Sequence, residues 1–227
     1  MSRSFAVTDI HGCANTFRLL LEKVIALRKE DTLYLLGDYI DRGPDSKGVL
    51  DQIKTLSEEG YQVVALRGNH EQMLIEAYED QEYLDMWLRN GGDKTLDSFG
   101  VSSIRQIPEE YLSFLKSLPY YHTSERFILV HAGLNFDSDD PLQDKEAMLW
   151  RRKFEVDLKK TGGRGVIHGH TPISMIQIHE ELSQYNIRHQ LNLDNGCVFG
   201  MSEFYGKLCA LELENLKIHW HTYEEQA

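Results

Sequence analysis

Cysteine is scarce in this 227-residue chain, with only Cys13, Cys197 and Cys209. Three thiols cannot all pair within one chain, so no disulfide framework is expected, and a reducing, cytoplasmic setting is. Proline is also scarce, at five residues, and no Pro/Ser-rich linker, low-complexity tract or internal repeat interrupts the sequence. One domain over residues 1–227 is therefore expected, large enough to bury a sizeable core. Long apolar runs are missing, and none approaches the ~20 residues a bilayer demands. Residues 1–4 lead directly into Phe5-Ala6-Val7, leaving no room for a leader's charged and apolar regions. Positive charge is in deficit, 24 Lys+Arg against 36 Asp+Glu, for a net charge of −12. Such a chain suits neither nucleic-acid phosphates nor anionic membranes unless its charge is locally reversed. Ten histidines stand in this acidic background, and their positions are the informative feature.

The first third alternates strand and helix. Residues 4–8 read as a short apolar strand. Residues 14–28 place Phe17, Leu20, Leu21, Val24 and Ile25 at helical spacing, with Asn15 near the cap. Residues 32–36 are apolar on both faces, as in a buried parallel strand. Residues 46–58 form a second amphipathic stretch, stopped at Gly60, and residues 61–66 a third strand. Asp9 and Asp38 are 29 positions apart, and Asp38 and Asn69 are 31 apart. A βαβ unit is ~30 residues, so successive polar clusters should meet at one edge of a parallel sheet. Residues 70–118 read as a helical insertion, broken at Asn90-Gly91-Gly92-Asp93, with Pro108 opening its last helix. Strands are then expected at 127–130, 166–168, 173–179, 186–193, 207–214 and 216–223. The fold class is α/β, a two-sheet β-sandwich flanked by helices in four α/β/β/α layers.

Five polar clusters follow strands: Asp9-Ile10-His11-Gly12, Gly37-Asp38-Tyr39-Ile40-Asp41-Arg42-Gly43, Arg67-Gly68-Asn69-His70-Glu71, His131-Ala132-Gly133 and His168-Gly169-His170-Thr171. Singly, each has a bland reading as a turn, a helix cap or a buried histidine. Together they supply more oxygen and nitrogen ligands than one ion needs. Oxygen and nitrogen ligands without cysteine suit manganese, iron or zinc, and two divalent ions, manganese before iron or zinc, are the expected cofactors.

In this order and spacing, the clusters resemble those of the calcineurin-like metallophosphoesterases. The nearest likeness is to the phosphoprotein phosphatase branch and its small bacterial and phage Ser/Thr phosphatases, over residues 4 to about 215. The resemblance implies a binuclear phosphomonoesterase in which a metal-bridging hydroxide attacks phosphorus in line. Asp9, His11 and Asp38 resemble ligands of one ion; Asp38, Asn69, His131 and His170 resemble those of the other. His70 resembles the general acid and Asp41 its orienting partner. Arg42, Arg67 and Arg152 resemble phosphate clamps, with Arg151 an alternative to Arg152. His168 is expected beside the ligands rather than among them.

The implied substrate is a phosphorylated protein or small phosphoester, with nucleic acid and membrane excluded and no partner protein indicated. A dinucleoside tetraphosphate hydrolase is the alternative. Those cousins typically lack Asp41 and Glu71, and carry Gly-His-Trp where this chain has His170-Thr171. A non-catalytic metal scaffold is a third reading, opposed by the intact His70, Asp41 and arginine set. Two departures stand out: Asp194-Asn195-Gly196 where Asp-Thr-Gly or Asp-Ser-Gly is frequent, and an apparent insertion at 201–205.

Overall fold

The computed structural model describes residues 2–200 and 202–225. Its first parallel unit runs β1 (Ser4–Val7), α1 (Ala14–Leu19), β2 (Thr32–Leu35), α2 (Ser46–Glu58) and β3 (Gln62–Ala65). A helical stretch follows, with α3 (Asn69–Glu79), α4 (Leu84–Trp87), α5 (Asp93–Phe99) and α6 (Glu109–Ser117). The second half comprises β4 (Tyr121–Thr123), β5 (Phe127–Val130), α7 (Lys145–Trp150), β6 (Gly165–His168), α8 (Met175–Ser183), α9 (Tyr185–Arg188) and β7 (Gln190–Asn192). It closes with β8 (Lys207–Glu212) and β9 (Lys217–Thr222).

Two mixed sheets result, ordered β3-β2-β1-β8-β9 and β4-β5-β6-β7. Strand alternation buries both faces of the central strands of each sheet. Phe5, Val7, Leu33 and Leu35 face the helices of the first half, while Ala6, Leu36 and Leu66 join Leu129, Ile167, Leu191 and Leu211 in a separate core between the sheets. Ile128, Val130 and Val166 face outward under Met148 of α7. β1, β2 and β3 are mutually parallel, as are β5, β6 and β7. Within each sheet, the loops after these strands therefore share its C-terminal edge.

The α/β two-sheet expectation holds, with local corrections. Residues 173–179 are not a strand. Ser174 and Gln177 form a reciprocal cap that starts α8, and Ile178 is buried at helical spacing. Residues 186–193 divide into the short α9, a left-handed His189 at φ 55° and the three-residue β7. The first helix does not reach residue 28. It widens into a π-helical turn over Leu20–Val24, and Ala26 adopts a φ of 45°. Its cap is not Asn15. The Glu225 carboxylate accepts the N–H groups of Asn15 and Thr16 at 3.1 and 2.8 Å. Among the described residues, no helix is long and apolar enough to cross a membrane, and all three thiols are free and buried.

Candidate metal centre

Each polar cluster lies where a strand ends. Six non-glycine residues there adopt positive φ: Asp9, His11, Asp38, Asp41, Arg42 and His170, at 47°, 46°, 56°, 70°, 69° and 75°. Such conformations are unfavourable for L-residues, though least so for Asp and His, and they concentrate at functional sites. Glycine supplies the closest approaches. A Cβ on Gly68 would lie 2.2 Å from Asp38 Oδ1, and one on Gly169 2.1 Å from Asp9 Oδ2. Buried Glu71 ties two loops together, accepting the N–H groups of Asp38, Tyr39 and Gly68 at 2.8 Å each.

Two sets of side chains offer ligand atoms within 4.8 Å of one another: His11, Asp38 and His70, and Asp38, His131 and His170. Asp38 belongs to both. Asn69 joins the second set, its Oδ1 lying 2.8 Å from His131 Nε2 and 2.9 Å from His170 Nδ1. Asp9 lies beside it, accepting the His170 N–H at 3.1 Å.

The imidazoles are pre-oriented for this arrangement. His11 Nδ1 lies 2.8 Å from the Ile40 carbonyl and His131 Nδ1 2.9 Å from that of Leu36. Each Nδ1–H can donate there, turning the lone pair of Nε2 inward. His70 Nδ1 lies 2.7 Å from Asp41 Oδ2, and among the described residues the buried Nε2 atoms of His70 and His170 have no hydrogen-bond partner. Unpaired buried nitrogens beside shared carboxylates fit a divalent metal centre.

Electrostatics point the same way. Burial, with neighbouring Asp194 and Asp38, raises Asp9 well above the usual carboxylate range; burial and nearby Glu71 do the same to Asp38. Burial lowers His11 and His70 well below the ordinary histidine value and takes His170 down to about 2. The imidazoles are thus already neutral, as ligands must be, while the carboxylates lack compensating cations.

The structure holds Asp41 with elements that carry no ligand. Trp87 Nε1 of α4 donates to it at 3.0 Å, and Thr95 Oγ1 of α5 at 2.6 Å. The Asn90-Gly91-Gly92 break permits this packing. A Cβ on Gly92 would lie 2.4 Å from the Trp87 ring, and Gly91 accepts the Arg42 N–H from a φ of 101°.

The arginines are placed unequally. Arg42 reaches the site, its Nη1 2.8 Å from His11 Nε2. Arg152 is exposed, and its charge bears on His170. Arg151 instead turns to Asp137 at 2.8 Å. Arg67 is nearly buried, with its terminal nitrogens on Gln72, Tyr120 and the Lys116 carbonyl and only Nε unpaired. His168 stands outside both sets, packed on Phe154 at 5.1 Å between ring centroids.

Sequence reasoning missed Trp87, which no motif flags before the fold brings it to Asp41. It also missed the weight of Asp194, noticed only as part of a departure. Burial pushes that carboxyl up to about 7, and its charge acts on Asp9.

The calcineurin-like phosphoesterase family profile matches residues 3–204. The chain belongs to that family. It is 30% identical over 208 residues to serine/threonine-protein phosphatase 1 of Salmonella typhimurium (strain LT2), covering 86% of this chain and 87% of that protein. It is 34% identical over 133 residues to the symmetrical bis(5'-nucleosyl)-tetraphosphatase of Dechloromonas aromatica (strain RCB), covering 58% of this chain. That match spans less than half of the tetraphosphatase, 44%. Among solved structures, one described as a candidate diadenosine tetraphosphatase superposes with a TM-score of 0.68, at 22% identity, covering 99% of this chain and 95% of its own. Family membership makes the chain a phosphoester hydrolase and implies divalent metals, for which the two sets above are candidate ligands.

Proposed function

We propose that this calcineurin-like phosphoesterase is a Ser/Thr protein phosphatase, the whole chain forming one catalytic unit. The observation that carries this reading is the 2.7 Å contact of His70 Nδ1 with Asp41. A seryl or threonyl alkoxide is a strongly basic leaving group and must take up a proton, whereas a nucleotide phosphate leaves readily as an anion. A positioned acid contributes ~10²–10⁴-fold in such a case. With Nδ1–H given to Asp41, Nε2 is the atom that would hand its proton to the leaving oxygen. Burial keeps the imidazolium scarce and correspondingly acidic. Thr95 and Trp87 hold Asp41 so that it cannot turn away.

Two divalent ions, manganese first and iron or zinc as alternatives, would be held by Asp9, His11 and Asp38 and by Asp38, Asn69, His131 and His170. When bound, they supply Lewis acidity toward phosphoryl oxygens and acidify water. Arg42 and Arg152 present planar forks suited to the remaining phosphate oxygens, whereas the fork of Arg67 is taken up by Gln72, Tyr120 and the Lys116 carbonyl. The near full-length match to a Ser/Thr phosphatase supports the reading.

The tetraphosphate hydrolase reading is favoured by the higher identity of the Dechloromonas relative over its shorter, 133-residue match. A side-by-side assay of manganese-loaded protein on a phosphoserine peptide, a phosphotyrosine peptide, diadenosine tetraphosphate and an aryl phosphate decides between them. Highest kcat/KM on the phosphoserine peptide is expected; preference for the dinucleotide would overturn the proposal.

A further inference from the structure

The helix that follows the first ligand loop has no cap of its own. α1 begins at Ala14, three residues past His11. Cys13 before it makes no side-chain cap bond, and its first turn holds no acidic residue. Six residues and one π-helical turn give it little stability alone. Both missing elements arrive from 210 positions away. The Glu225 carboxylate, beyond β9, accepts the Asn15 N–H at 3.1 Å and both the N–H and the hydroxyl of Thr16, at 2.8 and 2.7 Å. In return, Thr16 Oγ1 accepts the Glu224 N–H at 2.8 Å, and Asn15 Nδ2 donates to the Glu224 carbonyl. Thr16 is fully buried. Tyr223 packs on the first-half core and donates its N–H to the Gly206 carbonyl at 2.7 Å, which fixes the direction in which the segment leaves β9. Gly206 closes the apparent insertion, of which Met201 lies outside the described residues.

The loop ahead of α1 needs to be held. Asp9 and His11 sit at φ 47° and 46°, an unfavourable backbone that persists only where its surroundings over-determine it. On one side, the carbonyls of Asp38 and Tyr39 accept the N–H groups of His11 and Gly12 at 2.8 Å each. On the other side the chain enters α1 directly, and Glu225 fixes it there. A carboxylate at a helix N-terminus satisfies orphan N–H groups and complements the helix dipole. Losing such a cap raises the population of the locally opened state.

We propose that the Glu225 carboxylate is a latch that keeps the His11 loop closed, and so sets the rate at which the ion held by Asp9, His11 and Asp38 exchanges with solvent. Glu225 is a positioning residue, acting through Asn15 and Thr16. The proposal is independent of the substrate and rests on His11 as a ligand.

The test uses full-length protein. Hydrogen exchange of the metal-free form reads the latch, and manganese release from the loaded form into excess chelator reads its consequence. Glu225→Ala should speed exchange of the amides of residues 11–16 about tenfold and release one manganese equivalent about tenfold faster. Glu225→Gln keeps an acceptor without the charge and should fall between, while Glu225→Asp, which keeps the charge, should stay nearest the wild type. Asp31→Asn is the control, because it disturbs the buried Arg3 contact at the opposite edge of the first sheet. It should lower the unfolding midpoint and leave both rates as in the wild type. Wild-type exchange at residues 11–16 in Glu225→Ala overturns the latch, and so does an equal acceleration in Asp31→Asn. Faster loop exchange with unchanged manganese release overturns its control of the ion. Two ions still bound by His11→Ala would refute the ligand assignment, and the effect on release with it, whatever the exchange of the loop.

Discussion

The two ligand sets that meet at Asp38 are built from different materials. The His11 and His70 side comes from loops after β1, β2 and β3 of the first sheet. It is crowded with charge: Asp41 and Glu71 lie close by, and Arg42 sits on His11. The His131 and His170 side comes from the second sheet and adds neutral ligands, with the Asn69 carboxamide between the two imidazoles. Among the described residues, Asp38 is the one carboxylate in each set of mutually close candidate ligand atoms. One sheet brings charge and the acid pair, and the other brings neutral nitrogen. At their junction the Asp38 carboxylate faces both candidate sets.

Breaking the junction should have the largest effect. Asp38→Asn should lower metal occupancy at both sites and reduce phosphatase activity by more than ~10²-fold. Elemental analysis after gel filtration checks it, and two full ions per chain would refute a shared ligand. His70→Asn breaks the acid pair on the charged side. It should cut phosphoserine-peptide turnover by ~10²-fold or more while metal content stays at two. The loss should be smaller on an aryl phosphate, whose leaving group needs less help. Trp87→Phe removes one donor to Asp41 and keeps its packing, so a loss of ~10-fold in kcat without a change in metal content is expected. Arg152→Ala should raise KM several-fold and spare kcat relative to His70→Asn; equal loss in both would make it more than a clamp.

The smallest effect concerns stability and pH on the neutral side. Burial lowers His168 from its ordinary 6.5 to about 4. Between those values the unfolded chain binds more protons than the folded one, so stability is full above pH 6.5 and is lost as pH falls toward 4. Thermal unfolding of metal-stripped protein should show that decline, shared with His11, His70 and His170. His168→Gln should make it shallower, and an unchanged slope would exclude His168 as a contributor.

The legibility of this molecule divides along the same line. In the first half, short loops couple motif spacing to strand spacing, so the position of Asp9, Asp38 and Asn69 at one sheet edge follows from the ~30-residue repeat of βαβ units. In the second half, residues 173–179 alternate like a strand but fold as α8, because the Ser174–Gln177 cap and the burial of Ile178 outweigh a weak two-residue period. Arg67 shows another limit. Its place in a motif marked it as a clamp, yet side-chain conformation turned its fork to Tyr120, Gln72 and Lys116. The same holds for Arg151 and Arg152, adjacent in sequence and opposite in use.

By itself, the sequence determined the inventory of candidate ligands, the order of the loops and the two-sheet α/β class, because these depend on residue chemistry and on strand and helix periods. Only the tertiary structure decided which side chains meet. It brought Trp87 and Thr95 to Asp41 across 46 and 54 residues, and among the described residues it left His70 Nε2 buried without a hydrogen-bond partner. The physical reason is that a hydrogen bond or a buried charge is set by packing between distant segments, which no local spacing encodes. The acidic total of the chain illustrates both halves: its sign is written in the sequence, while the cluster where that sign calls for cations exists only in the fold.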